Sequence, residues 1–374
     1  MNKIYWVFSY FISLIFLVIL LFMWYSIDSK KGNFNHIISD KQDLNSFLDE
    51  YNELYRNASS KKTYYIPTGV FVQSIYFIDP FTVSMTGYVW QKYANNIPLS
   101  IERDFTFPQV VESADTFTKD IAYKHHNKES KVIGWYFEGY FRQDFVYDDY
   151  PLDNQEVWLK ITPKSFLKNV ILVPDFDAYE NDSFTNVFGI DQGIVLNLYS
   201  LENTYFNYKY LSYDTNFGDT NFDIQNNFPE LNFNILLKRK YMNAFVIYLL
   251  PIFVVLILLF ALLMTISNIS HSKSLFDFSL SSLLGTAAAL VFVAILSHID
   301  LKRSMEGTSV MYLEYFYILT YLMISLVTLD AYFFSEPKFR NIKIVQYENN
   351  LIPKLLYWPL ILMSLISITY FNFY

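Results

Sequence analysis

His125 and His126, with Glu129 three residues further on, have the donor types and the close spacing of a metal site. Imidazole nitrogens and carboxylate oxygens are ligands that several divalent metals accept. However, Lys124 and Lys128 lie in the same short segment, and their positive charges would repel a metal ion. A solvated turn is therefore the better interpretation, and we expect no metal here.

Asp148, Asp149 and Asp153 are close enough in sequence to act as a general acid and a general base. An acidic hairpin loop is the more ordinary interpretation of three such carboxylates. The sequence has only 10 glycines and contains no GxGxxG, GxxxxGKS/T or GxSxG pattern, and it has no HExxH pattern. We therefore expect that the protein is not an enzyme and needs no cofactor.

Composition excludes further classes of protein. Because the sequence has no cysteine, a disulfide scaffold, a cysteine-ligated metal centre and a thiol enzyme are impossible. The net charge of -8 argues against nucleic-acid binding, which needs a basic face. Hydrophobic residues make up 53% of the chain and charged residues only 17%. These values indicate that part of the chain folds in lipid and part in water.

The apolar residues are concentrated in five runs, each long enough to cross a bilayer, which takes about 20 residues. Glu314 and Asp330 are the only charged residues in these runs. The rest of the chain has the charge content of an ordinary globular domain. The runs are Trp6–Tyr25, Phe245–Ile266, Phe278–Ile299, Tyr312–Phe334 and Leu355–Phe371.

The first run is either a secretory signal peptide or an uncleaved membrane anchor. It is longer than the 7–15 apolar residues typical of a signal peptide, and Trp24-Tyr25-Ser26 is a poor cleavage site. We expect an anchor, followed by an exported segment. Basic residues near the span ends, such as Lys3, Lys338 and Lys354, favour the same orientation, with the large segment outside the cytoplasm.

The exported segment begins with a predicted helix over Ser39–Arg56, where Ser39 and Gln42 form a possible capping box. From Tyr64 to about Lys240, short β-branched and aromatic segments alternate with turn residues, which predicts an Ig-like β-sandwich. The predicted strands are Val70–Ile78, Val83–Trp90, Val132–Tyr147, Glu156–Thr162, Val170–Val173, Ile194–Tyr199 and Leu231–Leu237.

The sequence thus predicts a β + α membrane protein in four parts. Residues 1–26 form an N-terminal transmembrane helix and residues 27–62 a helical linker. Residues 63–240 form an extracytoplasmic β-sandwich that binds ligand, and residues 241–374 a four-helix transmembrane bundle.

Three local features resemble the pentameric ligand-gated ion channels, the Cys-loop receptor superfamily, in their prokaryotic form. The segment Tyr150–Gln155, YPLDNQ, is similar to the centre of the family's signature loop. Arg239 stands twelve residues before Pro251, as do the family's pre-membrane arginine and first-helix proline. The connections between the last four apolar runs follow the family's order: a short turn, then a polar loop, then a basic segment. The gating residues that this resemblance implies are Tyr150, Pro151, Asp153, Gln155, Arg239 and Pro251.

The sequence also departs from the family. Gln143 and Val157 stand where the two loop cysteines would be, as in prokaryotic members. Tyr93-Ala94-Asn95 replaces the family's Trp-x-Asp after its second strand, and the N-terminal helix is an addition. The resemblance covers residues 64–371.

The third apolar run has one face that suits an ion pore. Asp277, which directly precedes the run, and five residues of the run step by four and three along the chain, so they lie on one side of a helix. Five copies would form an acidic ring, a hydroxyl ring and a stack of apolar rings, which favours cations. Small residues such as Gly285 would equally permit tight helix packing. The predicted pore residues are Asp277, Ser281, Leu284, Ala288, Val291 and Ile295.

The resemblance implies that Asp153 and Arg239 meet at the membrane edge of the sandwich. We further expect Asp149, with Asp148, to face Lys302 and Arg303 of the loop between the second and third helices of the bundle. Such pairs would couple the two domains, or only hold them together.

The resemblance also implies an agonist site between subunits, lined by aromatic side chains that suit cations. Phe166, Tyr213 and Phe217 are the candidate ligand-binding residues, although core packing explains each of them equally simply.

The sequence therefore predicts a homopentameric, cation-conducting channel in a bacterial inner membrane, with its large domain in the periplasm. Its partners would be its own copies, membrane lipid, permeant ions and a small-molecule or proton agonist. The alternative is a non-conducting membrane sensor or envelope scaffold whose sandwich binds a partner protein.

Overall fold

The computed structural model describes residues 2–28, 37–55, 62–111, 113, 116–165, 168–179, 187–211, 214–215, 218, 228–267, 279–305, 307–339 and 341–374. The chain forms two compact units. The helical unit contains Met1–Lys31, Val146–Asp153 and Lys240–Tyr374, and the strand unit contains Gly32–Phe145 and Asn154–Arg239.

The described helices, numbered along the chain, are α1 (Asn2–Asp28), α2 (Lys41–Tyr55), α3 (Tyr241–Ala244), α4 (Leu250–Thr265), α5 (Leu280–Ser304), α6 (Glu314–Ser335), α7 (Lys343–Gln346) and α8 (Leu351–Phe373). A π-helical turn, Phe245–Leu249, joins α3 to α4. Among the described residues, five helices are long and apolar enough to cross a membrane, which confirms the five predicted runs: Lys3–Asp28, Tyr241–Thr265, Leu280–Ser304, Glu314–Ser335 and Leu351–Phe373.

Polar side chains tie these helices together at their ends. At one end of the helical unit, the buried Lys354 ammonium donates to the Ile266 carbonyl at 2.6 Å and so joins α8 to the end of α4. At the other end, the Trp24 indole donates to the Tyr312 hydroxyl, 2.8 Å away, and that hydroxyl contacts Thr369 of α8 at 2.7 Å. Buried polar groups satisfied in this way fix which helices are neighbours.

The described part of the strand unit has nine strands: β1 (Tyr64–Asp79), β2 (Thr82–Ala94), β3 (Phe105–Thr106), β4 (Phe117–His126), β5 (Ser130–Arg142), β6 (Asn154–Pro163), β7 (Val170–Pro174), β8 (Tyr199–Leu211) and β9 (Phe228–Arg239). They form a five-stranded sheet in the order β4-β5-β2-β1-β7 and a four-stranded sheet in the order β3-β6-β9-β8. All neighbours are antiparallel except β1 and β7.

The two sheets enclose a shared apolar core, which makes the region β-sandwich-like. Residues along β2 alternate between buried and half-exposed, as a strand with one face on a core requires. Aromatic rings meet across the core: Phe77 of β1 lies 4.8 Å from Tyr199 of β8, and Phe105 of β3 lies 5.2 Å from Trp135 of β5.

Several local predictions were wrong. The predicted strand Val132–Tyr147 is too long, because β5 ends at Arg142. The segment Ile194–Tyr199 is not a strand, because β8 begins only at Tyr199. Strand β4 was not predicted, because its lysine, aspartate and histidine side chains make an exposed edge strand look like a solvated turn.

Helix α2 exists as predicted but begins two residues later. Asp40, not Ser39, caps it: the Asp40 carboxylate accepts from the Asp43 main-chain N–H at 2.8 Å. In return the Asp43 carboxylate accepts from the Ser39 N–H at 3.1 Å. The helix packs on β8 by stacking Phe47 on Tyr208, with ring centroids 4.2 Å apart.

Candidate functional site

Helix α5 has one buried stripe and one exposed face within the helical unit. Ser279 caps the helix, and its hydroxyl lies 3.5 Å from the Ser282 N–H. The buried stripe recurs every three or four residues, so it faces the neighbouring helices. Its members are Leu283, Ala287, Leu290 and Ala294.

The exposed face of α5 is centred on other residues than the predicted pore face. Successive residues of a helix are rotated by about 100°, so Leu284 and Val291, each next to a buried residue, lie on the flank. Phe292 follows Leu283 by nine residues, about two and a half turns, and therefore lies opposite the buried stripe. The residues centred on this exposed face are Ser281, Gly285, Ala288, Phe292 and Ile299.

Three of these residues are not among the predicted pore residues: Gly285, Phe292 and Ile299. Phe292 is 63% exposed, although it is among the largest apolar side chains of α5. Open space surrounds the position where a Cβ of Gly285 would lie. Residues spaced alternately by three and four can be chosen on either of two adjacent faces of a helix. Only the buried stripe of α5 tells these two faces apart. Asp277, the predicted acidic ring, lies outside the described residues.

The segment Val146–Asp153, which lies in sequence between β5 and β6, belongs to the helical unit. We call it the docking loop. The Tyr312 main-chain N–H donates to the Asp148 carbonyl at 2.7 Å, and the Leu313 N–H donates to the Tyr150 carbonyl at 3.2 Å. These two bonds hold the docking loop against the connection between α5 and α6.

The carboxylates of the docking loop also accept hydrogen bonds from the helical unit. The Ser309 hydroxyl donates to Asp148, and the Asn372 amide donates to Asp149 at 3.2 Å. The loop therefore contacts the α5–α6 connection and the end of α8. Burial raises the pKa of the Asp149 carboxyl, and the charges of Asp153 and Asp148 raise it further.

The buried Tyr150 contacts the start of the first bundle helix, with its ring 6.4 Å from that of Tyr248. Its peptide bond to Pro151 is cis. Tyr248 lies in the π-helical turn before Pro251, which has no N–H to donate to the preceding turn. The Tyr317 hydroxyl of α6 donates to the Tyr248 carbonyl at 3.1 Å and so joins α6 to this turn.

Lys302, which the sequence led us to expect near Asp149 and Asp148, pairs with another carboxylate. Its ammonium lies 2.9 Å from the buried Glu314 carboxylate, which also lies 3.4 Å from the His298 imidazole. Glu314 thus joins the end of α5 to the start of α6. Arg303 is exposed.

Two residues from the signature-loop prediction, Asp153 and Gln155, are buried, and so is Arg239. The Arg239 guanidinium donates to the Tyr199 hydroxyl at 2.6 Å and lies 4.7 Å from that ring's centroid. Asp153 and Arg239 belong to different units. Their pairing stays a prediction.

Gln143, which stands at a cysteine position of the family's loop, contacts the residue after Val157. Its amide N–H donates to the Trp158 carbonyl at 2.8 Å, and its amide oxygen accepts from the Trp158 N–H at 3.1 Å. This pair of hydrogen bonds joins the end of β5 to β6, the two strands that flank the docking loop in sequence.

The three predicted ligand-binding residues, Phe166, Tyr213 and Phe217, lie outside the described residues. The strand unit has another aromatic cluster, on the outer face of the five-stranded sheet. There Trp90 lies over Gly69 and Tyr123 over Gly134, since a Cβ at either glycine would fall within 2.2 Å of the ring. The glycine positions could have indicated this cluster in the sequence.

A buried carboxylate fixes one ring of this cluster. Asp175 accepts from the Trp90 indole and from the Lys92 ammonium, each at 2.8 Å. Beside them, Tyr88 and Tyr136 pack edge to face, 5.5 Å apart. Such an aromatic surface can bind a cation or stack on a flat ligand.

His125 and His126 end strand β4 and do not form the predicted turn, and the His125 ring lies 5.3 Å from that of Tyr123. Among the described residues, no three histidine, aspartate or glutamate side chains are grouped so that they could hold a metal.

Neither a scan of protein-family models nor a search of curated proteins finds a match to this chain.

Proposed function

We propose that the chain forms a homopentameric ligand-gated ion channel in a bacterial inner membrane. In this proposal the strand unit is an Ig-like sandwich in the periplasm, where a small molecule or protons act. The helices α3–α4, α5, α6 and α8 form the four-helix bundle of each subunit, and α1 is an additional anchor. Five copies of α5 surround the pore, which conducts cations.

The observation that carries the proposal is the position of the docking loop. The segment is bounded in sequence by β5 and β6, yet Asp148 and Tyr150 bond through their main chains to Tyr312 and Leu313. A displacement of β5 or β6 would pull on the α5–α6 connection through these bonds. A ligand-gated pore needs a mechanical link of this kind.

The exposed face of α5 supports the pore. It is small and polar at Ser281 and apolar at Phe292 and Ile299. Five Phe292 rings around an axis would form a narrow apolar constriction, which closes a pore by dewetting. Asp277 would form the acidic ring that attracts cations. Reversal potentials unchanged by Asp277→Asn in a salt gradient would contradict the cation selectivity.

The aromatic cluster around Trp90 supports a recognition role for the strand unit. The Trp90 ring is held over Gly69 by the Asp175 carboxylate and is therefore rigid, so binding a cationic or flat ligand on it costs little entropy. We propose this surface as part of the stimulus site.

The alternative is a non-conducting sensor or scaffold. The exposed apolar side chains of α5, such as Phe292 and Ile295, are equally suited to contact lipid or another helix. In that case the aromatic cluster would bind a partner protein while the helices only anchor it.

Imaging the purified full-length protein in lipid nanodiscs separates these functions. If the protein is a channel, the images show a fivefold ring with α5 around a central axis. Liposomes that contain the protein then release sodium or potassium. A monomer, a dimer or a ring with α5 at its periphery would exclude the channel and favour the scaffold.

A further inference from the structure

A long apolar slot lies between α1 and the rest of the helical unit. Its volume is about 800 Å³, and α1, α4, α6 and α8 all contribute to its walls. On α1 it extends from Tyr10 to Trp24, which is about 21 Å at 1.5 Å per residue. Leu249 of the π-helical turn and Phe253 of α4 form part of the opposite wall.

The slot offers little to hold water. The Ser13 hydroxyl on its wall already donates to the Ser9 carbonyl at 2.9 Å. The Trp24 indole at its end already donates to the Tyr312 hydroxyl. A buried water needs two to four polar partners, and protein interiors do not leave voids of this size empty. An apolar occupant therefore suits the slot better than water does.

The slot is open towards the surroundings of α1. Leu14, Leu17 and Leu21 line it, yet each keeps between a third and three fifths of its surface exposed. Trp24 closes one end, since its ring packs edge to face against Phe245 at 5.0 Å. The result is a groove that is long, narrow, closed at one end and reached from the side.

We propose that this slot binds one acyl chain of a membrane phospholipid. Hydrocarbon chains are the solvent around a membrane-spanning helix, and a groove along the axis of α1 matches an extended chain. Helix α1 lies outside the part of the sequence that resembles the channel family. The site needs only that these helices span a membrane, so it does not depend on ion conduction.

The test uses the full-length protein in liposomes that contain phosphatidylethanolamine with a diazirine in one acyl chain. After photolysis, mass spectrometry locates the adducts. We expect saturable labelling of Leu17 and of Phe253 across the slot, with several-fold weaker and non-saturating labelling of Val18, which does not line the slot. Equal, non-saturating labelling of Leu17 and Val18 in the natural sequence would overturn the site.

Two variants on adjacent residues of α1 provide the matched control. Leu17→Trp fills the slot and should reduce labelling of Phe253 several-fold, whereas Val18→Trp should leave it unchanged. Unchanged labelling in folded Leu17→Trp would contradict the proposal. Disulfide-linked dimers formed on oxidation of a Leu17→Cys variant would also overturn it, since the occupant would then be a second copy.

Discussion

Gln143 holds both main-chain polar groups of Trp158 through its side-chain amide, at 2.8 Å and 3.1 Å. The two residues lie on either side of the docking loop in sequence. In the family that the sequence resembles, a disulfide closes the loop near this point. Here a buried amide makes the cross-link, and it needs no oxidising compartment.

Gln143→Ala should destabilise the strand unit by about 1–3 kcal/mol, because the Trp158 N–H loses its side-chain acceptor in a partly buried position. Thermal unfolding in detergent, followed by tryptophan fluorescence, measures the change. Gln109→Ala is the matched control, since Gln109 makes only one longer bond, 3.2 Å, to the same Trp158 carbonyl. Equal losses in the two variants would show that the paired bonds of Gln143 have no special role.

Asp149→Asn should stabilise the helical unit at neutral pH. Burial, Asp153 and Asp148 raise the pKa of the Asp149 carboxyl, so its ionised form costs free energy in the folded state. That cost is fully present above the folded pKa, shrinks as pH falls through it, and vanishes below the ordinary value of 3.8. The asparagine oxygen can still accept from Asn372.

The measurement is the difference in thermal midpoint between Asp149→Asn and the natural protein, taken at several pH values from about 4 to 7. We expect a positive difference at neutral pH that declines towards zero in acid. The exposed Asp144 provides the control, as Asp144→Asn should give a much smaller difference. A difference for Asp149→Asn that does not vary with pH would exclude titration as its cause.

Glu314→Ala should loosen the junction of α5 and α6. The buried carboxylate contacts Lys302 at 2.9 Å and the Met311 N–H at 3.3 Å, and its loss leaves both donors without this acceptor. We expect the free energy of unfolding to fall by about 1–3 kcal/mol. The value should lie near the lower limit, because Lys302 is partly exposed. Glu314→Gln should lose less, and Asp300→Ala, at an exposed acid of α5, very little. Equal unfolding midpoints for Glu314→Ala and Asp300→Ala would contradict this role.

Gly69→Ala should displace the Trp90 ring, because the new Cβ would lie 2.1 Å from it. The displaced indole would lose its hydrogen bond to Asp175, so we expect red-shifted Trp90 emission. We also expect the free energy of unfolding to fall by about 1–3 kcal/mol. Gly193→Ala is the control, since its Cβ would meet only the Asp191 side chain, at 3.1 Å. Emission and stability unchanged in Gly69→Ala would mean that the ring is not held over the glycine.

The elements of this protein were easier to predict from its sequence than their contacts. Five long apolar runs identify the candidate spans because hydropathy is a local property. The edge strand β4 escaped detection because neither of its faces is fully buried, so its residues lack a clear alternation. Burial relative to neighbouring helices, which the sequence does not contain, separated the face of Phe292 from that of Leu284.

Side-chain partners were harder still to predict. The choice of Asp149 for Lys302 rested on opposite charge and an expected proximity. The actual partner, Glu314, lies within an apolar run, where a carboxylate needs a nearby cation. That requirement was readable from the sequence. The docking of Asp148 onto Tyr312 was not, because it uses main-chain groups that every residue has.

The most direct measurement of the central claim is the reactivity of single cysteines along α5. The sequence has no cysteine, so each introduced thiol is the only one in the chain. Thiols react as thiolates, which form in water and not in lipid. The protein is reconstituted in liposomes and treated with a charged, water-soluble thiol reagent, and ion flux is recorded before and after.

We predict that Phe292→Cys and Ile299→Cys react about tenfold or more faster than Val293→Cys, which is exposed on another side of the helix, and that their modification changes ion flux. Buried Leu290→Cys should not react. If Val293→Cys reacts as fast as Phe292→Cys, or if modification of Phe292→Cys leaves ion flux unchanged, α5 does not line a pore.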